Sequence, residues 1–189
     1  MSEENKKFNY EKVKEATKML LEGIGEDVNR DGLLETPDRV ARLYRDVLGG
    51  YDDNPSNYLK SFEVDNKDMV IVKDIPFYSF CEHHLCLFSG KMHIAYLPDE
   101  KITGLSKLVR MARVFCKRPQ VQERLTKQIA DALVKNLSSN CAVYLEAEHT
   151  CMSMRGVRTP GTTTVTCAVR GIFKDNLATK QEFLAAIGK

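Results

Sequence analysis

The sequence predicts an α+β protein in which one antiparallel four-stranded sheet carries two helices on one face, behind a helical N-terminal segment. Three observations predict it. Strand-like runs at 69–75 and 91–97 come first, two helical patterns follow, and strand-like runs at 142–148 and 162–173 come last. The order β-β-α-α-β-β, with strands at both ends, suits a single antiparallel sheet with its helices on one side. Upstream, two further helical patterns stand apart from this unit. The division is residues 1–66 as helical segment and connector, and 67–189 as the main domain.

Each element has its own signal. Residues 10–24 place Val13, Ala16, Met19, Leu20 and Ile24 at helical spacing, and Gly25 ends the pattern. Thr36-Pro37 reads as N-cap and first residue of a helix to about Leu48, where Gly49-Gly50 stops it. The stretch from Asn54 to Asn66 reads as an irregular connector. Gly104-Leu105-Ser106 opens a helix to about Cys116. Pro119 starts a longer one through Leu137, with Val121, Leu125, Ile129, Leu133 and Leu137 along one face. No repeat or low-complexity segment interrupts the chain.

Composition narrows the function classes. The 189 residues are 43% hydrophobic and 29% charged, the balance of a soluble domain with a real core. The start, MSEENKKFNY, lacks the apolar core of a signal peptide, and no apolar run is long enough to span a bilayer. A net charge of +2 gives no case for nucleic-acid binding by bulk electrostatics. With no export signal, the six cysteines read as reduced thiols and metal ligands in a cytosolic protein.

The chemistry concentrates in two clusters. Cys81-Glu82-His83-His84 and His149-Thr150-Cys151 together offer two soft thiolates and an imidazole, from Cys81, His84 and Cys151, as a zinc set. Three protein ligands leave a fourth position open, which is the arrangement of catalytic zinc. The remaining histidines, His83 and His149, put titratable imidazoles beside that position. His149 lies two residues from Cys151, so on an extended chain both side chains leave on one face. A closed four-ligand site completed by Cys86 is the alternative. Leu85, Leu87 and Phe88 make Cys86 read as a small buried hydrophobe instead.

Other motifs are weaker. Asp27-x-Asn29-x-Asp31-Gly32 matches the first half of a calcium loop, but its twelfth position is Asp38 and Pro37 precedes it. It reads better as a solvated turn. Basic residues recur at one-turn spacing in Arg39/Arg42 and Lys107/Arg110, and Arg155 follows the second cluster. Lys107 and Arg110 gain weight from the helix start at Gly104-Leu105-Ser106, where backbone N–H groups favour an anion. Gln122 and Glu123 offer an amide and a carboxylate suited to a base edge. No phosphate-loop motif is present.

Collectively these residues resemble the zinc-dependent GTP cyclohydrolase I family. The resemblance rests on CEHH at 81–84, GK-x-HIAYLP at 90–98, GLSKLVR at 104–110 and RPQVQERLT at 118–126. It continues in E-x-EHTCM-x-MRG at 146–156, TTT at 162–164 and TPDRVARLY at 36–44, and covers roughly residues 10–187. It implies the tunnelling fold, in which subunit sheets join edge to edge into barrels, and a homo-oligomer of two stacked pentamers with shared sites. It implies conversion of GTP and water to 7,8-dihydroneopterin triphosphate and formate, the first step of folate or biopterin synthesis.

By the same resemblance, Cys81, His84 and Cys151 match the Zn2+ ligands, and His83 and His149 the catalytic histidines. Gln122 and Glu123 match the guanine-holding positions. Ser106, Lys107, Arg110 and Arg155 match the ribose and triphosphate positions, with Arg39 and Arg42 from an adjacent subunit. Some relatives have lysine in place of Arg42, which keeps the charge but not bidentate chelation. Of the competing readings, a nitrile reductase on the same fold needs a nucleophilic cysteine and no zinc, which the cysteine–histidine clusters oppose. An early-stopping cyclohydrolase differs in product, and a structural-zinc protein would lack an exchangeable water.

Overall fold

The computed structural model describes residues 7–63, 65 and 67–189. The first six residues of the signal-peptide reading, and positions 64 and 66 at the connector's end, lie outside the described residues. Helix α1 (Tyr10–Gly23) begins where Asn9 caps it, its side chain accepting from Lys12 N at 3.0 Å. Helix α2 (Thr36–Leu48) packs against α1. Its cap falls on Glu35, so Thr36 is the first helical residue rather than the cap. Asp38, the last position of the calcium-like loop, accepts from the Tyr10 hydroxyl at 2.7 Å and pairs with Arg42 at 2.9 Å.

The connector is less irregular than its composition suggests. A 3₁₀ turn (Pro55–Asn57) precedes β1 (Ser61–Glu63), which pairs antiparallel with β4 (Lys101–Thr103). The main sheet consists of β2 (Val70–Cys81), β3 (Leu87–Leu97), β6 (Asn140–His149) and β7 (Thr163–Arg170), antiparallel in the order β2-β3-β6-β7. A fifth strand, β5 (Pro119–Gln120), adds a two-residue parallel pairing to Phe80 and Cys81.

Three expectations need correction. β2 continues six residues past Ile75, with Pro76 in a stretch whose outer side carries no partner strand, since β5 reaches only Phe80 and Cys81. The long helix α4 (Gln122–Asn136) starts after β5 rather than at Pro119, with Val121 extended at φ −107° and ψ 144°. The last strand stops at Arg170, because Gly171 turns the chain at φ 54°. Residues expected to extend that strand instead form α6 (Ile172–Asp175), and α7 (Leu177–Ala186) follows.

Strand alternation sorts the core. Met92, Ile94 and Tyr96 of β3 face α4 and α3 (Leu105–Cys116), meeting Leu108, Met111, Leu125, Ile129 and Leu133. Ala95 faces the other way with Ala142 and Tyr144, under Phe173, Phe183 and Ile187. Two helices therefore cover one face as expected, while the C-terminal helices add a partial third layer. Among the described residues no helix is long and apolar enough to cross a membrane.

β3 and β6 approach closely at Gly90. A Cβ there would lie 1.9 Å from the Glu146 carbonyl oxygen and 2.7 Å from Ala147 Cα, both backbone atoms that cannot rotate away. Gly90→Ala is expected to destabilise the protein at the upper end of the ~1–3 kcal/mol typical of overpacking. Thermal unfolding checks this, and a melting point equal to the parent's would refute it.

Candidate metal and nucleotide site

The two sequence clusters meet at one end of the sheet because their strands end there in register. Phe80 pairs with Leu87, and Phe88 pairs with His149. A tight turn carries 82–86, closed by Cys81 N to Cys86 O at 2.8 Å and Leu85 N to Cys81 O at 2.9 Å, with Leu85 at φ 50°. Gln120 O of β5 accepts from Glu82 N at 2.9 Å, and Arg124 holds the Glu82 carboxylate. After His149 the short helix α5 (Thr150–Ser153) begins, and Thr150 Oγ1 donates to Leu87 O at 2.6 Å.

This geometry gathers the ligating atoms of Cys81, His84 and Cys151 within 4.8 Å of one another. Cys81 Sγ lies 4.0 Å from His84 Nδ1. Tetrahedral zinc with bonds of ~2.0–2.3 Å needs ligand atoms ~3.6–3.8 Å apart, so a small contraction suffices and the donor set fits. Burial raises the Cys151 thiol, and the neighbouring thiol of Cys81 raises it further. A divalent cation reverses that repulsion by favouring thiolates. Cys86 is not one of the gathered ligands; its thiol is turned to His84 O at 3.7 Å.

Beside the cluster lies a cavity of about 240 Å³, lined among others by Cys81, His83, Gln122, Glu123, His149 and Cys151. It is smaller than the ~300–1,000 Å³ of sites that enclose a whole drug-sized ligand. It suits one ring system rather than an entire nucleotide.

His149 is the most constrained group in it. Its ring stacks on Phe88 at 4.5 Å and 4° between planes. Its Nε2 lies 2.8 Å from Gln122 Oε1. The Gln122 amide nitrogen faces Leu145 O at 3.3 Å, Thr164 O at 2.9 Å and Thr166 Oγ1 at 3.1 Å, which fixes the amide's orientation. Oε1 can therefore only accept, and His149 Nε2 must donate. Neutral His149 presents a bare Nδ1. Burial lowers its pKa, opposed by the Glu123 carboxylate. Because α4 starts at Gln122, that side chain is 1% exposed, while Glu123 one residue later is exposed.

The remaining sequence candidates divide in two. Arg155 joins the cluster, with Nη1 2.6 Å from His84 Nε2. Ser106, Lys107 and Arg110 do not join it. They stand in the first half of α3, which begins where Thr103 N meets the Tyr96 hydroxyl at 3.4 Å, at the other end of β3. Phe88 and Tyr96 stand eight residue steps apart along β3, roughly 26 Å, so the start of α3 lies far from the cluster. Arg39 and Arg42 are exposed on α2, paired with Glu35 at 2.5 Å and Asp38 at 2.9 Å. Phe88 and Thr166, which position His149 and Gln122, were missed by the sequence reading. Phe88 appeared there as packing around Cys86, and no spacing signal marks Thr166.

Comparison with known proteins agrees with this arrangement. Residues 13–188 match the GTP cyclohydrolase I family. A GTP cyclohydrolase 1 from Desulforamulus reducens is 54% identical over 185 residues, covering 96% of this chain and 99% of that protein. That of Aquifex aeolicus is 55% identical over 185 residues, covering 95% and 97%. That of Finegoldia magna is 52% identical over 183 residues, covering 96% and 100%. With both clusters in register at one sheet end and matches of this extent, the chain belongs to the GTP cyclohydrolase I family, has its tunnelling fold, and is an enzyme of that type.

Proposed function

We propose that the chain converts GTP and water to 7,8-dihydroneopterin triphosphate and formate with Zn2+ held by Cys81, His84 and Cys151. The observation that carries this reading is the convergence of the three-ligand set with His83, Glu123 and His149 around one ring-sized cavity. Zn2+ held there supplies Lewis-acid activation of water near neutral pH. Water adds at C8 of guanine, the C8–N9 bond opens, and a second water releases formate. The ribose then opens and rearranges, and ring closure returns one water.

The side chains divide this work by position. Glu123 accepts from the guanine N1–H and 2-amino group at the cavity rim. Adenine lacks both donors, so ATP leaves the carboxylate unpaired, a loss of about 1–3 kcal/mol or more for a charged group. His149 exchanges its proton at Nδ1, since Nε2 is committed to Gln122. His83, exposed on the same cavity, is the second proton-transfer group. Gln122 acts through His149 rather than on guanine, because its side-chain atoms are engaged within the chain. Arg155 serves the ribose and triphosphate side.

Ser106, Lys107 and Arg110 serve the triphosphate of a neighbouring chain's site, and Arg39 and Arg42 that of another. Their distance from the cluster supports a shared site. So do the outer edge of β7 and that of β2, the latter covered by β5 only at Phe80 and Cys81, since open edges seek pairing. Ring closure by edge pairing, doubled as two stacked pentamers, is the assembly we assign in the cytoplasm.

Incubation with GTP should release formate and a pterin that fluoresces after oxidation; a protein loaded with zinc that yields neither is not this enzyme. Lys107→Ala and Glu123→Ala variants, each nearly inactive at GTP concentrations far below their raised KM, should regain activity when dissociated, mixed and reassembled. Random assortment leaves roughly a quarter of two-chain sites intact. Mixed assemblies no more active than the parents would place the two residues in one chain's site.

A further inference from the structure

The turn that carries His83 and His84 has little packing to hold it. Glu82, His83, His84 and Leu85 are all exposed. Its internal bonds, Cys81 N to Cys86 O and Leu85 N to Cys81 O, fix its shape but not its place. Among the described residues, its hydrogen bonds to other parts of the chain go to Gln120, Arg124 and Arg155. Arg155 is also assigned to the ribose and triphosphate side. β5 and Arg124 are therefore the ties that bound substrate does not claim.

Arg124 stands in the first turn of α4, where a cation faces the positive end of the helix dipole. Helix stability does not account for it there. Its ion pair with Glu82 reaches solvent on both sides, and such pairs add little to stability. What sets this pair apart is that the guanidinium is fixed before Glu82 meets it. Nε donates to Gln120 Oε1 at 3.0 Å, and Nη2 donates to Pro119 O at 3.2 Å as well as to Glu82. Gln120 is buried, its amide nitrogen donating to Phe115 O at 3.1 Å and to Gln128 Oε1 at 2.9 Å. A buried amide thus aims the fork, and the fork holds the carboxylate. A lysine ammonium, a point charge on a flexible stem, cannot reproduce that arrangement.

We propose that Arg124 is a positioning residue, which through Glu82 holds the 82–86 turn, and with it His83 and His84, in register with the start of α4. Its neighbour Glu123 accepts the guanine edge, so one helical turn places both the base and the loop that carries a metal ligand. This use of the register rests on the reaction proposed above; the hold on the turn does not. A reacting group misplaced by about 1 Å can cost ~10²-fold in rate. Groups that orient metal ligands from behind typically govern ~10–100-fold in metal affinity or activity.

Glu82→Ala, Arg124→Ala and the two combined test it in the zinc-loaded protein. Each single variant should bind zinc yet release it to a chelator about tenfold faster than the parent. Each should lower kcat about 10–100-fold while the KM for GTP stays within about twofold. The double variant should be no worse than either single one, because both remove the same contact. Arg124→Lys should behave like Arg124→Ala, since it keeps the charge and loses the fork. Glu82 is exposed, so Glu82→Ala carries the test even where an Arg124 variant folds poorly. An ordinary surface ion pair would leave chelator release and kcat at the parent's values. That result, effects that multiply in the double variant, or full rescue by Arg124→Lys overturns the positioning role. Chelator release needs no GTP, so a parent that yields no formate would count against the assigned reaction alone.

Discussion

Cys151→Ser should leave the protein without its metal and without measurable turnover. Cys151 sits at the junction of β6 and α5, half-buried, with its thiol beside that of Cys81. An alcohol is a hard, weakly acidic donor and does not replace a thiolate toward zinc. The site then keeps two protein ligands, too few for a stable tetrahedral centre. Metal content per chain, measured beside formate release, decides the matter. Full turnover in metal-free Cys151→Ser protein would refute the catalytic-metal assignment. Cys86→Ser is the comparison: its thiol faces His84 O outside the gathered ligands, so metal and activity should survive. Loss of metal there would instead show a closed four-ligand site.

His149→Ala should keep the metal and lose about 10²–10⁴ in kcat, the usual cost of removing a general acid–base group. The ring is fixed from two sides, by the Phe88 face at 4.5 Å and by Gln122 Oε1 at 2.8 Å. Gln122→Ala removes the second restraint and leaves the imidazole in place. It should therefore lower kcat while the KM for GTP changes little. Glu123→Ala should behave in the opposite sense, with KM rising steeply because the guanine edge loses its acceptor. A Gln122→Ala variant that raises KM and spares kcat would return Gln122 to the guanine. Metal loss from His149→Ala would make His149 a ligand and displace His84 from the set.

Much of this was legible in the chain. A soft-donor set is recognisable by residue type, because few other uses bring cysteine and histidine together at strand ends. Cys81, His84 and Cys151 were identified on that ground, and the structure brings their donor atoms within 4.8 Å. Helical spacing likewise placed Leu125, Ile129, Leu133 and Leu137 on the core face of α4, since periodicity is local. Pro76 and Pro119 misled because proline's effect depends on its neighbours. One lies at an open edge and the other in a two-residue pairing with β2.

What the sequence by itself determined is the chemistry: which atoms can ligate a soft cation, which side chains can move protons, and which elements bury an apolar face. These follow from residue identity and short spacing. Tertiary structure alone decided where each group stands. Register across β2, β3 and β6 sets Phe88 against His149, and the short β5 delays α4 so that Gln122 is buried against His149 while Glu123 stays open. The direction of α3 holds Ser106, Lys107 and Arg110 at the far end of β3 from their own chain's cluster. The physical reason is range: ligand identity is a property of single side chains, whereas distance across a sheet is set by pairings between residues tens of positions apart.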